Sequence, residues 1–245
     1  MPISNADKQT VRELTKKYAE IANLPIQQER IKRMRENNDL IPGRPPVWLN
    51  ELPWHELDID GELKCKCEDS FARGIEWYFR HKLFQWKYFQ ADMVVENFFA
   101  HKKIERNTGL GIKIEENIIR LDDKNGICSH EYHDTLSTEA DLEKLHMPII
   151  SSDKDEDLRS VDRLNDLFNG IIPVKLRGGY IYHAPWDTIS MIRGAENILY
   201  DIADRPEFIH KIINFFTEAA LSQADQMEAQ GLLDADLSDL HCTPS

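Results

Sequence analysis

The sequence predicts an α/β fold in which short strands alternate with helices along the chain. Three observations support this class: apolar residues recur at helical spacing in several segments, short apolar runs lie between those segments, and glycine and proline separate the two kinds of element. Because strands that alternate with helices are joined by right-handed crossovers, we expect the main sheet to be parallel.

The N-terminal region predicts two helices. Ser4 and Asp7 resemble a capping pair, and apolar side chains follow at helical spacing from Val11 to Ile21. Pro25 begins a second, charged helix that we expect to end near Asn38, ahead of a proline-rich segment. We therefore predict a helical extension at residues 1–40 and a main domain at residues 41–245.

Two strands and an aromatic helix are predicted next. The apolar runs at residues 47–49 and 93–95 predict the first and second strands. Between them, aromatic and aliphatic side chains recur at helical offsets over residues 69–90, which predicts a helix packed against the sheet.

A hairpin is predicted as an insertion at about residues 105–133. Apolar residues alternate there on both sides of Asn125-Gly126, which is a strong signal for a two-residue hairpin turn. His130 and His133 have a spacing that suits a metal on a helix, but the preceding turn favours a hairpin or loop with a polar surface.

The second half of the chain continues the alternation of helices and strands. Helices are predicted at residues 137–145 and 153–168, and Asn169-Gly170 is a C-cap pair ahead of a third strand at 171–177. Gly178 and Gly179 end that strand. Helices then follow at 187–193, at 195–203 and from Pro206 to Gly231, before a fourth strand at 233–240.

Charge and composition exclude several classes of protein. The 245 residues include 30 Lys+Arg against 43 Asp+Glu, a formal net charge of −13, which argues against a nucleic-acid partner. No apolar stretch has the about 18 residues of a membrane helix, and the N-terminus lacks the apolar core of a signal peptide. We therefore expect a cytoplasmic protein with no membrane partner. The 4 cysteines are too few for a disulfide framework.

Several segments, in this order, resemble the uroporphyrinogen decarboxylase superfamily, which also contains the cobalamin-linked methyltransferases. They are Pro45-Pro-Val-Trp-Leu, Thr135-Leu-Ser-Thr-Glu-Ala-Asp-Leu-Glu-Lys-Leu, His183-Ala-Pro-Trp-Asp-Thr and Leu199-Tyr-Asp-Ile-Ala-Asp-Arg-Pro-Glu-Phe-Ile-His-Lys-Ile. Family members typically show a Gly-Ala-Pro-Trp/Phe-Thr turn at the third of these segments and a Pro-Glu-x-hydrophobic-His helix start at the fourth. The resemblance covers most of residues 40–240.

The resemblance implies a TIM-like (β/α)8 barrel whose site lies at the C-terminal ends of the strands. A whole barrel takes about 250 residues, but the N-terminal helices and the hairpin use so much chain that only about four parallel strands fit. We therefore expect a partial barrel, the N-terminal part of the family fold. Because unpaired sheet edges are normally covered, we expect a homo-oligomer formed through the open edges.

The two reactions of this superfamily need different residues. Its decarboxylases hold a polycarboxylate with arginines directly after the first strand, where this chain has Asn50-Glu-Leu-Pro-Trp-His. The tyrosine that those decarboxylases carry one helical turn after the Pro-Trp motif corresponds to Met191. The acidic residue that they use near the second strand has an approximate counterpart in Glu96. The resemblance therefore implies methyl transfer rather than porphyrinogen decarboxylation. The alternatives are an inactive, truncated barrel that binds a small molecule or a protein partner, and a decarboxylase with altered substrate contacts.

The resemblance also implies cofactors. The related methyltransferases use zinc, held by His and Cys at strand ends, and a corrinoid on a partner protein. His241 and Cys242 are the candidate zinc ligands, although the family pattern is His-x-Cys with a further Cys much later. Adjacent residues of a strand point to opposite faces, so this pair can share an ion only where the strand has ended. The alternative is a polar strand end that lines a cleft.

Candidate site residues cluster where the third strand meets its loop, at the expected active face of the barrel. Arg177 suits a carboxylate or phosphate, Trp186 provides an apolar wall, and His183 or Asp187 acts as an acid or base. The alternative is that Ala184-Pro-Trp only shapes the turn and packs the barrel top. The predicted catalytic residues are Glu96, His183 and Asp187, and the predicted substrate-binding residues are Asn50, Arg177, Tyr180 and Trp186.

Overall fold

A computed structural model of the chain describes residues 3–49, 52–120 and 128–234. It has a mixed α/β fold, as predicted, and it divides into two compact units. Within the described residues, unit 1 comprises the chain up to Lys102 together with Asp155–Arg177. Unit 2 comprises Lys103–Lys154 together with the chain from Gly178 onward. Over these same ranges, no helix combines the length and the apolar character that crossing a membrane requires.

The helices and strands follow one another along both units. In chain order they are α1 (Asn5–Ala22), α2 (Ile26–Asn38), α3 (Trp54–Leu57), α4 (Ser70–Tyr88), β1 (Phe99–Lys102), β2 (Glu105–Asn107), β3 (Glu116–Ile119), β4 (Ser129–Tyr132), a 3-10 helix (Glu139–Lys144), β5 (Ile150–Ser152), α5 (Lys154–Phe168), β6 (Val174–Arg177), α6 (Pro185–Arg193), α7 (Ala195–Asp204) and α8 (Pro206–Ala229).

Unit 1 is built around the packing of α1 against α4. The predicted cap of α1 is confirmed, since the Ser4 hydroxyl accepts a 3.1 Å hydrogen bond from the Asp7 amide. At the start of α4, the Asp69 carboxylate accepts one of 2.9 Å from the Ala72 amide. The apolar faces of both helices contact side chains of β1 and α5 in one core. Its fully buried members include Val11, Ala72, Phe79, Leu164, Leu167 and Phe168.

Strands β1 and β6 form a parallel pair in unit 1. Phe99 lies opposite Val174 and Lys102 lies opposite Arg177. The third predicted strand is therefore confirmed, and parallel pairing is confirmed for this pair. The predicted C-cap before it is also confirmed, because Asn169 and Gly170 both have positive φ angles, of 50° and 76°.

The strands predicted at residues 47–49 and 93–95 are wrong. Both segments are irregular, because side chains bind the backbone groups that a neighbouring strand would need. The Asp92 carboxylate accepts from the Val47 amide at 2.8 Å. In the second segment, Gln27 accepts from the Val95 amide at 2.9 Å, and Arg30 donates to the Met93 carbonyl at 2.7 Å. The strand that was expected at 93–95 begins only at Phe99.

Unit 2 contains two antiparallel pairs and a helical layer. Strand β2 pairs with β5, and β3 pairs with β4 in the predicted hairpin, whose Asn125-Gly126 turn lies outside the described residues. The helix predicted at 137–145 is a 3-10 helix with a Thr138–Asp141 capping box. Helices α6, α7 and α8 share one apolar core. Its buried members are Leu136, Ile189, Ile192, Ile198, Phe208, Ile209, Ile212 and Phe216.

The strands of the described chain form three two-stranded sheets, and none of them closes into a barrel. One is parallel and two are antiparallel. The stretch predicted as a fourth strand begins with a parallel bridge between Gly179 and Leu233. Its remaining residues, from 235 onward, lie outside the described ranges.

Candidate functional site

A cleft of about 230 Å³ in unit 2 is the candidate site. Three parts of the unit form it: the segments that flank the β2–β5 pair, the turn that leads into α6, and one face of α8. The described residues that line it are Asn107, Gly109, Leu110, Pro148, Ile181, Tyr182, His183, Ala184, Pro185, Thr188, Phe216, Ala219, Ala220 and Gln223.

A pair of glycines positions the turn that leads into α6. The Gly179 amide donates to the Leu232 carbonyl at 2.7 Å, and the Asp234 amide donates to the Gly179 carbonyl at 2.8 Å. A Cβ atom on Gly178 would lie 2.3 Å from the Asp234 nitrogen, so this close approach requires glycine. The chain then runs without regular structure to Pro185, which starts α6 at a position where proline is favoured.

The walls of the cleft combine apolar side chains with polar atoms in similar proportion. On α8, Phe216 contributes an aromatic ring to the lining, and Ala219 and Ala220 contribute short side chains. Leu110 and Pro148 add further apolar side chains to the lining. Small-molecule sites usually combine apolar walls with a few polar groups that fix the orientation of the ligand.

The polar groups of the cleft are neutral amides, hydroxyls and an imidazole. The side-chain oxygen of Asn107, Oδ1, accepts a 2.8 Å hydrogen bond from the Gly109 amide. This leaves the side-chain NH₂ group of Asn107 for a ligand. The Gln223 NH₂ group contacts the Met227 sulfur at 3.8 Å, which leaves the Gln223 carbonyl oxygen as an acceptor. His183 and Thr188 add further groups that donate and accept. The lining, as far as the structure describes it, includes no Asp, Glu, Lys or Arg.

Helix α6, which carries part of the lining, is anchored through Arg193. The Arg193 Nε atom donates to Asp201 at 2.8 Å, and a terminal nitrogen of Arg193 pairs with Asp134. Burial favours the neutral guanidine, but the Asp201 hydrogen bond and the charge of Asp134 outweigh it and raise the pKa of Arg193. This buried network fixes α6 to α7 and to the segment ahead of the 3-10 helix.

Only one of the predicted site residues of unit 2 lines the cleft. His183 lines the cleft, whereas Tyr180, Trp186 and Asp187 are exposed on the same segment without lining it. Sequence reasoning missed Tyr182, Thr188, Asn107 and Gln223. Tyr182 and Thr188 flank the predicted residues directly, so their position in the turn could have indicated them.

Arg177 and Glu96 belong to unit 1, and the cleft belongs to unit 2. Arg177 ends β6 and is buried, with its guanidinium carbon 6.0 Å from the centre of the Phe98 ring. Glu96 is half-buried near the phenols of the α1–α4 core. Burial, which is the largest cause, and the charge of Glu96 both raise the pKa of Tyr78.

The predicted zinc ligands His241 and Cys242, together with Asn50, lie outside the described residues. Over residues 3–49, 52–120 and 128–234, no group of three or more His, Cys, Asp or Glu side chains is arranged to hold a metal ion. No family model, curated protein or solved structure matches this chain.

Proposed function

We propose that this chain is a relative of the uroporphyrinogen decarboxylase superfamily that binds a small, uncharged molecule in the unit 2 cleft and serves cobalamin-linked methyl transfer. One observation carries the proposal. The segment His183-Ala-Pro-Trp-Asp-Thr is the most specific part of the family resemblance, and four of its residues line the cleft: His183, Ala184, Pro185 and Thr188.

The size and charge of the cleft support a small, neutral ligand. Its volume of about 230 Å³ is below the about 300–1,000 Å³ of typical drug-sized sites. A porphyrinogen with many carboxylates would need arginine forks, and the described lining offers neutral amides and hydroxyls instead. These features favour methyl transfer over porphyrinogen decarboxylation.

His183 is the residue we assign to proton transfer. In the proposed reaction a thiol acceptor gives its proton to the His183 imidazole. Its sulfur then forms a bond to the methyl carbon while the bond between that carbon and the methyl donor breaks, and the electron pair of the broken bond stays with the donor. A corrinoid on a partner protein would supply the methyl group. No step is assigned to zinc, since the two candidate ligands lie outside the described chain.

The fold that accompanies this function is a partial TIM-like barrel in which β1 and β6 are neighbouring parallel strands. Parallel pairing of β1 with β6 supports it. The proposal includes association with a second copy through open sheet edges, which light scattering of the purified chain tests directly. A strictly monomeric chain would contradict this part of the proposal.

Ligand binding without turnover is the second candidate function. The observation that favours it is the placement of the predicted acid and base residues, because only His183 of the three lines the cleft. Asp187 is exposed outside the lining, and Glu96 belongs to unit 1.

The test compares two phenylalanine substitutions on α8. Ala220→Phe fills the cleft, whereas Leu221→Phe changes an exposed neighbour that does not line it. Binding of phenol and benzamide is measured by saturation-transfer NMR, and turnover is measured with methylcobalamin and 2-mercaptoethanol by mass spectrometry of the thioether. We expect Ala220→Phe to weaken binding by about tenfold or more, which is about 1.4 kcal/mol, and to abolish product, while Leu221→Phe retains both.

The outcomes separate the candidates. Binding that Ala220→Phe weakens by about tenfold or more, without any thioether, supports the second candidate. Absence of both binding and product, or carbon dioxide release from uroporphyrinogen, contradicts the proposal. Stoichiometric zinc that is lost in His241→Ala would support methyl transfer.

A further inference from the structure

A cysteine, a histidine and a glutamate meet on one face of the β3–β4 hairpin. Ile118 lies opposite His130, and Glu116 lies opposite Tyr132. Because side chains alternate between the two faces of a strand, residues at 128, 130 and 132 share a face with Glu116 and Ile118. The Cys128 thiol, which is only partly buried, lies at the end of this row.

The three side chains are in contact in the order thiol, imidazole, carboxylate. The Cys128 Sγ atom lies 3.4 Å from Nε2 of His130, and Nδ1 of His130 lies 2.8 Å from a carboxylate oxygen of Glu116. A carboxylate at Nδ1 holds the proton on that nitrogen, which leaves Nε2 as an acceptor toward the thiol. The His130 ring also stacks on Tyr132, with centroids 5.9 Å apart and planes 10° apart. The hydrogen bond to Glu116 and the contact with Tyr132 therefore both orient the imidazole.

This arrangement has the parts of an activated thiol: a nucleophile, a base within reach and a third group that orients the base. We propose that Cys128, His130 and Glu116 form a reactive-thiol site that undergoes exchange with low-molecular-weight disulfides. The function proposed for the unit 2 cleft does not involve these residues.

The exchange needs only the Cys128 thiol and the disulfide. The Cys128 S–H proton passes to Nε2 of His130, and the thiolate attacks one sulfur of the disulfide. A bond forms between Cys128 and that sulfur while the original S–S bond breaks. The departing thiolate takes the proton back from His130 and leaves as a thiol, so Cys128 is oxidised and half of the disulfide is reduced.

The cysteines of unit 1 provide an internal contrast. The Cys65 thiol faces the Leu63 and Arg73 carbonyls at 3.9 and 3.8 Å. Burial and the charge of Glu76 raise the pKa of Cys65. Burial and a hydrogen bond to Glu76 raise the pKa of Cys67 to about 12. Both groups are held as thiols, which are poor nucleophiles, so the reaction selects Cys128 over them.

The experiment measures the reaction rate of each cysteine at pH 7 in the full chain. Iodoacetamide reports on thiolate character and hydroxyethyl disulfide reports on exchange, and peptide mapping by mass spectrometry assigns each product to its cysteine. Two variants, His130→Asn and Glu116→Gln, remove the base and its orienting group. Glu131→Gln is the matched control, because Glu131 lies on the opposite face of β4 and bonds Asn117 there.

We expect Cys128 to react before Cys65 and Cys67. An ordinary thiol is already a few per cent thiolate at pH 7. His130 can therefore raise the reaction rate of Cys128 by at most roughly 30-fold. Below that limit, we expect His130→Asn to slow the reaction of Cys128 about tenfold and Glu116→Gln to slow it about threefold. We expect Glu131→Gln to change the rate by less than about twofold.

Three results would overturn the proposal. One is a Cys65 rate equal to or above that of Cys128. A second is a Cys128 rate that stays the same or rises in His130→Asn, because a rise would show that the imidazole shields the thiol. Alkylation at Cys128 with no exchange would also overturn it, since the site would then lack the proposed reaction.

Discussion

Substituting Asp201 with asparagine tests how the scaffold of the unit 2 cleft is held. The Asp201 side chain is 4% exposed, and it pairs with Arg193 at 2.8 Å and with Arg205 at 3.5 Å. Asparagine keeps the size and one oxygen acceptor but removes the charge. The buried Arg193 guanidinium is then left with Asp134, whose side chain is 27% exposed, as its only anionic partner among the described residues.

The size of the effect depends on how many interactions Arg193 keeps after the substitution. Removing one partner of a fully buried ion pair costs roughly 3–5 kcal/mol, and a hydrogen bond to a charged group contributes roughly 1.5–3 kcal/mol. Since Asp134 and the new amide oxygen retain part of the interaction, we expect Asp201→Asn to lower the free energy of opening α6 and α7 by about 2 kcal/mol. This corresponds to about 30-fold faster amide exchange.

Hydrogen exchange of the full chain, followed by mass spectrometry, resolves this effect by region. Peptides from α6 and α7 should exchange faster, and peptides from α1 and α4 should not, because those helices belong to unit 1. Asp204→Asn, an exposed position on α7, is the control and should change the opening free energy by less than about 0.5 kcal/mol. Unchanged exchange in α6 and α7, or equal acceleration of α1 and α4, would refute the assigned role of the Arg193 network.

Two further predictions concern stability. Burial opposes the charge of Asp92, but hydrogen bonds from Arg44 and the Val47 amide hold the pKa of Asp92 below its usual range. The unfolded chain therefore binds more protons, so this stabilisation is present above about pH 4 and is lost as the pH falls through the folded-state pKa. Asp92→Asn should flatten this acid dependence in urea unfolding, and an unchanged profile would contradict it. Gly178→Ala should destabilise unit 2 by about 1–3 kcal/mol, measured by hydrogen exchange, because the added Cβ atom would meet the Asp234 backbone. Gly74→Ala is the contrast: Gly74 lies in α4 with open space around it, so alanine there should stabilise the helix by roughly 0.5–1 kcal/mol.

The helices could be predicted because their signals are local. Ser4 and Asp69 cap the helices that follow them, and Pro206 starts the long helix α8 at the predicted residue. Periodic apolar residues then mark the buried faces. These signals lie within a few residues of each element, so no tertiary partner is needed to interpret them.

The strands at residues 47–49 and 93–95 could not be predicted correctly for the opposite reason. Both runs are apolar, but their backbone groups are bound by Asp92, Gln27 and Arg30. Residues 27 and 30 lie more than 60 positions from the backbone groups that they bind. An apolar run indicates burial, and only the identity of its hydrogen-bond partners decides whether it is a strand.

The candidate site was partly predictable. His183 follows directly from its motif, which places it at the turn after a strand. Asn107 and Gln223 come from β2 and α8, whose convergence on that turn depends on the packing of unit 2. Cys128 and His130 lie two positions apart on a predicted hairpin, so the alternation of side chains could have placed them on one face. The register that adds Glu116 is a tertiary property.

The pairing of β1 with β6 also has a consequence for synthesis on the ribosome. About 70 residues separate the end of β1 at Lys102 from the start of β6 at Val174, and at translation rates of about 5–20 residues per second they take about 4–14 s to make. During that interval the nascent chain carries β1, with Phe98 and Phe99, without the strand that completes its ladder. Slower translation over residues 103–173 lengthens this exposure, so the aggregation of newly made chains should depend on the speed at which this segment is translated.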